Sequence, residues 1–103
     1  MVNVIIYLKN DQHPKELVEL LLREKLISSA SIDNNNVSYK YEQDAMSECV
    51  YNVITAQTKS LLFNEIIEWV EKKYGSGIPV VSVPIINSNN SFAELVKSST
   101  KLI

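Results

Sequence analysis

The chain is predicted to be one α+β domain over residues 1–103 with element order βαββαβ, an antiparallel sheet, helices on one face and a short C-terminal helix. Three observations carry that prediction. The opening run Val2–Lys9 is apolar at both parities, which marks a central strand covered on both faces. Two segments, one after Pro14 and one after Ser60, place apolar residues at helical spacing. Between them lie runs rich in tyrosine and β-branched residues, which suit a long hairpin.

The elements follow in order. In Val2–Lys9, Val4, Ile6 and Leu8 occupy one face and Ile5 and Tyr7 the other. Asp11 is the expected cap of the first helix, and Pro14 sits in its first turn, where a missing N–H costs nothing. Leu17, Val18, Leu21 and Leu22 form its apolar face, and the helix is expected to end near Lys25. Ile27–Asp33 is predicted as a short strand. The "DNNNV" stretch that follows is predicted as a turn, because Asn and Asp tolerate left-handed dihedrals. Val37, Tyr39 and Tyr41 alternate with Ser38, Lys40 and Glu42, the pattern of a strand with one wet face. A polar loop is expected over 43–47 and a strand over Cys49–Ala56.

Thr58 or Ser60 is then expected to cap a second helix, whose Leu62, Phe63, Ile66, Ile67, Val70 and Tyr74 form a broad stripe. Ile78–Ile86 is the last predicted strand. Pro79 and Pro84 place it at a sheet edge, since proline cannot donate to a ladder. The box Ser91-Phe-Ala-Glu94 announces the terminal helix. This order is the ferredoxin-like split βαβ arrangement.

Composition narrows the function classes. With 46% hydrophobic residues, 21% charged residues and a net charge of -2, the chain is an ordinary globular protein without the basic stripe of a nucleic-acid binder. The apolar run Val4–Leu8 is far too short for a signal peptide core or a membrane span, so no membrane partner and a cytoplasmic location are expected. Cys49 is the only cysteine, which excludes an intrachain disulfide and a Cys-x-x-Cys pair. Asn89-Asn90-Ser91 matches a glycosylation pattern, which without a secretory signal is a chance match.

"KKYGSGIPVV" resembles a phosphate cradle, but phosphate loops lead into a helix N-terminus and Gly75-Ser76-Gly77 follows a helix end. Gly75 is therefore expected to cap that helix in the left-handed conformation, with Lys72 and Lys73 complementing the negative end of the dipole. His13, the single histidine, is expected to be solvated in a first helical turn. Cys49 opens an apolar strand, where a free cysteine acts as a small hydrophobe. Glu16, Glu19, Glu65, Glu68 and Glu71 fall opposite the apolar stripes and are expected in solvent. No nucleophile, base and orienting group can be nominated together, so an enzyme is not expected.

The stretches "VIIYLKNDQHPKELVELLLREKL" and "TKSLLFNEIIEWVEKKYGSGIPVVSVPI" are similar, without gaps, to segments of the divalent-cation tolerance family, CutA. "VSYKY" resembles that family's serine-tyrosine pair, with Tyr41 where a tryptophan is usual. The resemblance implies a homotrimer of ferredoxin-like subunits, similar in architecture to the PII signalling proteins, with a role in metal tolerance. The chain departs from the pattern at Ser28-Ser29, where alanine-cysteine is common, and at Tyr74-Gly75-Ser76-Gly77, where histidine-proline-tyrosine-glutamate is common. The glutamate usual after the following proline is Val80. The cysteine and histidine suspected of holding copper in the family are thus missing, which leaves Cys49 and His13 as weak metal-ligand candidates.

Three functions remain open on the sequence: a CutA-like oligomer of metal response, a PII-like sensor that needs lysines and arginines converging on a cleft, and a ligand-free interaction scaffold. The first is preferred, with weak divalent-cation binding at most and no cofactor. Self-association is expected independently, because two helices cover only one face of a sheet whose first strand is apolar on both, and Val81 and Val83 repeat that pattern.

Overall fold

The computed structural model describes residues 1–102. Its elements are β1 (Val2–Lys9), α1 (Pro14–Arg23), β2 (Ser29–Glu42), β3 (Ala45–Thr58), α2 (Phe63–Tyr74), β4 (Val80–Pro84) and α3 (Asn90–Ser99). The four strands form one antiparallel sheet in the order β2-β3-β1-β4. The expected ferredoxin-like architecture is present, and β4 lies at the edge as its prolines require.

Alternation along β1 sorts the sheet into two faces. Val2, Val4, Ile6 and Leu8 are buried and pack with Ile54 and Ala56 of β3 against Leu17 and Leu21 of α1 and Ile66 and Val70 of α2. Burying each such aliphatic side chain contributes about 1.5–3 kcal/mol, so this layer is the main stabilising element of the subunit. The opposite face carries Ile5, Tyr7, Val53, Val81 and Val83 at matching register positions, and α1 and α2 lie on the other side of the sheet. Val81 and Val83 are 43% and 45% exposed.

Several boundaries differ from the sequence expectations. Asp33–Asn36 is not a turn: β2 runs through it as one 14-residue strand, with Asn34 and Asn35 set against Asn52 alone as a bulge. Asn35 takes φ 60 there, so the asparagine run supplies the left-handed residue a bulge needs instead of reversing the chain. The reversal comes later, at Gln43-Asp44, where φ values of 50 and 62 form the two-residue hairpin turn whose twist matches its strands. Strand pairing resumes at Ala45, so the expected 43–47 loop shrinks to those two residues.

Helix ends differ as well. Asp11 does not cap α1. His13 is its N-cap without a side-chain hydrogen bond, and the preceding turn is closed by Gln12 N–H donating to the Lys9 carbonyl. The C-terminus of α1 is a Schellman motif: Leu26 N–H donates to Leu21 C=O and Lys25 N–H to Leu22 C=O, with Lys25 at φ 57. Neither Thr58 nor Ser60 caps α2, because Thr58 ends β3 and a single 3-10 turn, Ser60–Leu62, leads into the helix. Asn89, not Ser91, caps α3, accepting the Phe92 N–H at 3.0 Å. Gly75 does end α2, but at φ 80 and ψ -178, an extended left-handed region open to glycine, rather than in the helical left-handed one.

Candidate functional site

The strands differ greatly in length, and that mismatch makes the site. β1 stops at Lys9, opposite Tyr51, while β3 continues six residues further beside β2 alone. The chain turns away through Asn10 and Asp11 towards α1, and the loop from Gly77 to Pro79 closes the other side. The result is a cleft of about 560 Å³ at the end of β1, lined from both faces of β3, by Tyr51 and Cys49 on the open face and by Glu48 and Val50 on the other.

Its apolar wall is a pair of tyrosines. The Tyr7 and Tyr51 rings meet edge to face, with centroids 5.8 Å apart and planes at 76°. Their placement follows from period two, since Tyr7 faces Val53 and Lys9 faces Tyr51 in register on that face. Its polar wall consists of Lys9, Asp11 and Glu48, together with the partly buried Cys49 thiol. Interaction with the Cys49 side chain, first by hydrogen bonding and then by charge, holds the Tyr51 phenol above its ordinary range.

The two sequence candidates for metal binding separate here. Cys49 lines the cleft as the fifth residue of β3, so it does not open the strand as expected. His13 is exposed and outside the cleft, and its carbonyl accepts the Tyr74 hydroxyl at 3.3 Å. Among the described residues, no group of three or more His, Cys, Asp or Glu side chains is placed to hold a metal ion. One thiol with scattered carboxylates does not fit the donor set of a tight copper or zinc site.

Nor do the lysines behind the glycine pair form an anion site. Lys72 lies 5.1 Å from the Trp69 ring centroid, and Lys73 lies 5.6 Å from that of Tyr74 and 3.8 Å from Glu16. A second depression, about 410 Å³, sits at the other end of the open face beside Asn3, Gln57 and Phe92. Its amides are already engaged: Ser29 Oγ donates to Gln57 Oε1 at 2.6 Å, and Gln57 Nε2 donates to Asn3 Oδ1 at 2.8 Å.

Sequence reasoning missed Tyr7, Lys9, Asp11, Glu48 and Tyr51 as a group. The available signal was the disparity between an eight-residue first strand and the fourteen-residue strand paired to it, which becomes visible once the asparagine run is read as a bulge.

No protein-family model matches the sequence, and no curated protein matches it. The likeness lies in the fold. CutA1 from Pyrococcus horikoshii superposes with a TM-score of 0.85 at 16% identity, over 99% of this chain and 100% of that one. CutA1 from Oryza sativa gives 0.84 at 22% identity, over 97% and 93%. The periplasmic divalent cation tolerance protein CutA from Archaeoglobus fulgidus gives 0.83 at 17% identity, over 98% and 100%. From β1 to α3 the chain has the fold of the CutA divalent cation tolerance proteins.

Proposed function

We propose that this chain is a diverged CutA-like protein, non-enzymatic, that acts in the cytoplasm as a homotrimer in tolerance of or response to divalent metal ions. The observation that carries the reading is the match over nearly the whole chain to solved proteins named for divalent cation tolerance, joined to the gapless resemblance of two long sequence segments. No helix among the described residues is long and apolar enough to cross a membrane, which is compatible with the proposed location.

Association is supported by two unpartnered apolar surfaces that differ from each other. One is the open sheet face, with Ile5 half-buried and Val81 and Val83 exposed. The other is the half of the hairpin beyond the end of β1. There Val37, Tyr39, Tyr41 and Met46 occupy the same side of the sheet as the helices but lie past them, at 45%, 58%, 80% and 67% exposure. Two unlike surfaces favour a head-to-tail contact, in which the hairpin of one copy covers the open face of the next, and a head-to-tail contact that closes makes a ring. Three subunits is the number the resemblance implies.

The PII-like reading needs basic residues converging on a cleft, and the cleft at the end of β1 has a single lysine beside two carboxylates. The ligand-free scaffold is the second reading, favoured by the lack of a clustered donor set among the described residues. Growth of a deletion strain in graded copper and zinc separates the two. Metal sensitivity of the deletion strain that the intact chain relieves supports the first reading, and unchanged tolerance on deletion supports the scaffold.

A further inference from the structure

We propose that the cleft at the end of β1 binds a small zwitterion with an aromatic body, of which a free aromatic amino acid is the simplest example. The inference rests on the chemistry of the cleft walls and not on the metal reading.

Size admits such a ligand, since about 560 Å³ lies within the range of sites that enclose small organic molecules. Charge selects among them. Lys9 can receive a carboxylate, while Asp11 and Glu48 can receive an ammonium group. Among the described residues none of these three takes part in an ion pair, whereas Lys40, Lys73 and Lys101 are each committed to a glutamate. A phosphate or dicarboxylate would gain one cation and meet two carboxylates, and a simple cation would meet Lys9. A molecule with one charge of each sign is the class that leaves no like charge unanswered.

The body of the ligand is set by the tyrosines. An edge-to-face pair presents one ring edge and one ring face to the cleft, a surface on which a third ring can continue the same packing. Ile78 extends that apolar surface. The wall is therefore aromatic where the ligand is apolar and charged at its ends.

Calorimetric titration of the full-length assembled protein tests this with three probes: L-tryptophan, tryptamine, which lacks the carboxylate, and indole-3-propionate, which lacks the ammonium group. Tryptophan is expected to bind at least about tenfold more tightly than either analogue. Lys9→Met is expected to weaken tryptophan by about tenfold while leaving tryptamine within about twofold. Tyr51→Leu is expected to weaken all three probes, with native mass and far-ultraviolet dichroism unchanged. Equal affinity for the three probes, no heat from tryptophan up to about 10 mM, or indifference to Lys9→Met would each overturn the proposal. The metal-tolerance assay does not depend on Lys9, so the two readings fail separately.

Discussion

Asn52 and Asn35 meet across the hairpin: the Asn52 carboxamide oxygen accepts the Asn35 backbone N–H at 3.3 Å, at the point where β2 carries its extra residue. The same carboxamide donates from Nδ2 to the carbonyls of Asn10 and Gln12 at 3.4 and 3.2 Å. One buried side chain thus ties the bulge to the turn between β1 and α1, and so holds one side of the cleft. Replacing Asn52 by Leu leaves those backbone groups without partners and is expected to cost about 2–4 kcal/mol. Urea unfolding should show a lower midpoint at nearly constant slope, and a loss below 1 kcal/mol, about one hydrogen bond, would remove Asn52 from this role.

Lys25 and Leu26 make an opposite prediction. Lys25 sits at φ 57, where an L side chain costs about 1 kcal/mol and glycine costs nothing, and the Schellman bonds are made by backbone alone. Lys25→Gly is therefore expected to raise stability by about 0.5–1 kcal/mol, a sign opposite to that of a glycine placed inside α1. Denaturant midpoints of the two variants measured side by side check both signs.

Much of the fold was legible because burial and period speak together. The even positions of β1, the Leu17 and Leu21 stripe and the Leu62, Ile66 and Val70 stripe all point to the core they form. Pro79 and Pro84 marked the edge through a missing donor. What escaped was set by tertiary pairing. Three consecutive asparagines carry turn chemistry, and only the continuing register of β2 with β3 turns them into a bulge. Gln43-Asp44 adopts a turn normally dominated by Asn-Gly, imposed by the strands on either side. The cleft escaped for the same reason, since Lys9, Glu48 and Gly77 are distant in sequence and meet only because β1 ends early.

Tyr74 sets an alkaline limit. Its phenol is pushed up first by burial and then by the charge of Glu16, so the folded chain holds this proton more tightly than the unfolded one. A raised folded value means that its contribution is fully present below the ordinary phenol value near 10 and is lost as pH rises through the folded value. The Tyr51 phenol, also raised, acts in the same direction. Stability is expected to fall above about pH 10, and Tyr74→Phe should flatten that decline. An unchanged slope in Tyr74→Phe would assign the alkaline loss elsewhere.

Copper should find no strong site. Cys49 lines the cleft and His13 lies outside it, so a tight site would require copies of one residue gathered on a symmetry axis. Titration is expected to give dissociation constants well above about 1 µM, changed little by Cys49→Ser. Submicromolar binding lost in that variant would make Cys49 the ligand.

Native mass spectrometry tests the central claim of a closed, head-to-tail assembly most directly. The expected result is a single species of three 11.7 kDa chains at micromolar concentration, converted by Tyr41→Asp combined with Met46→Asp into a folded monomer. A monomer for the unaltered chain, or a trimer that survives both charges on the hairpin, would contradict it.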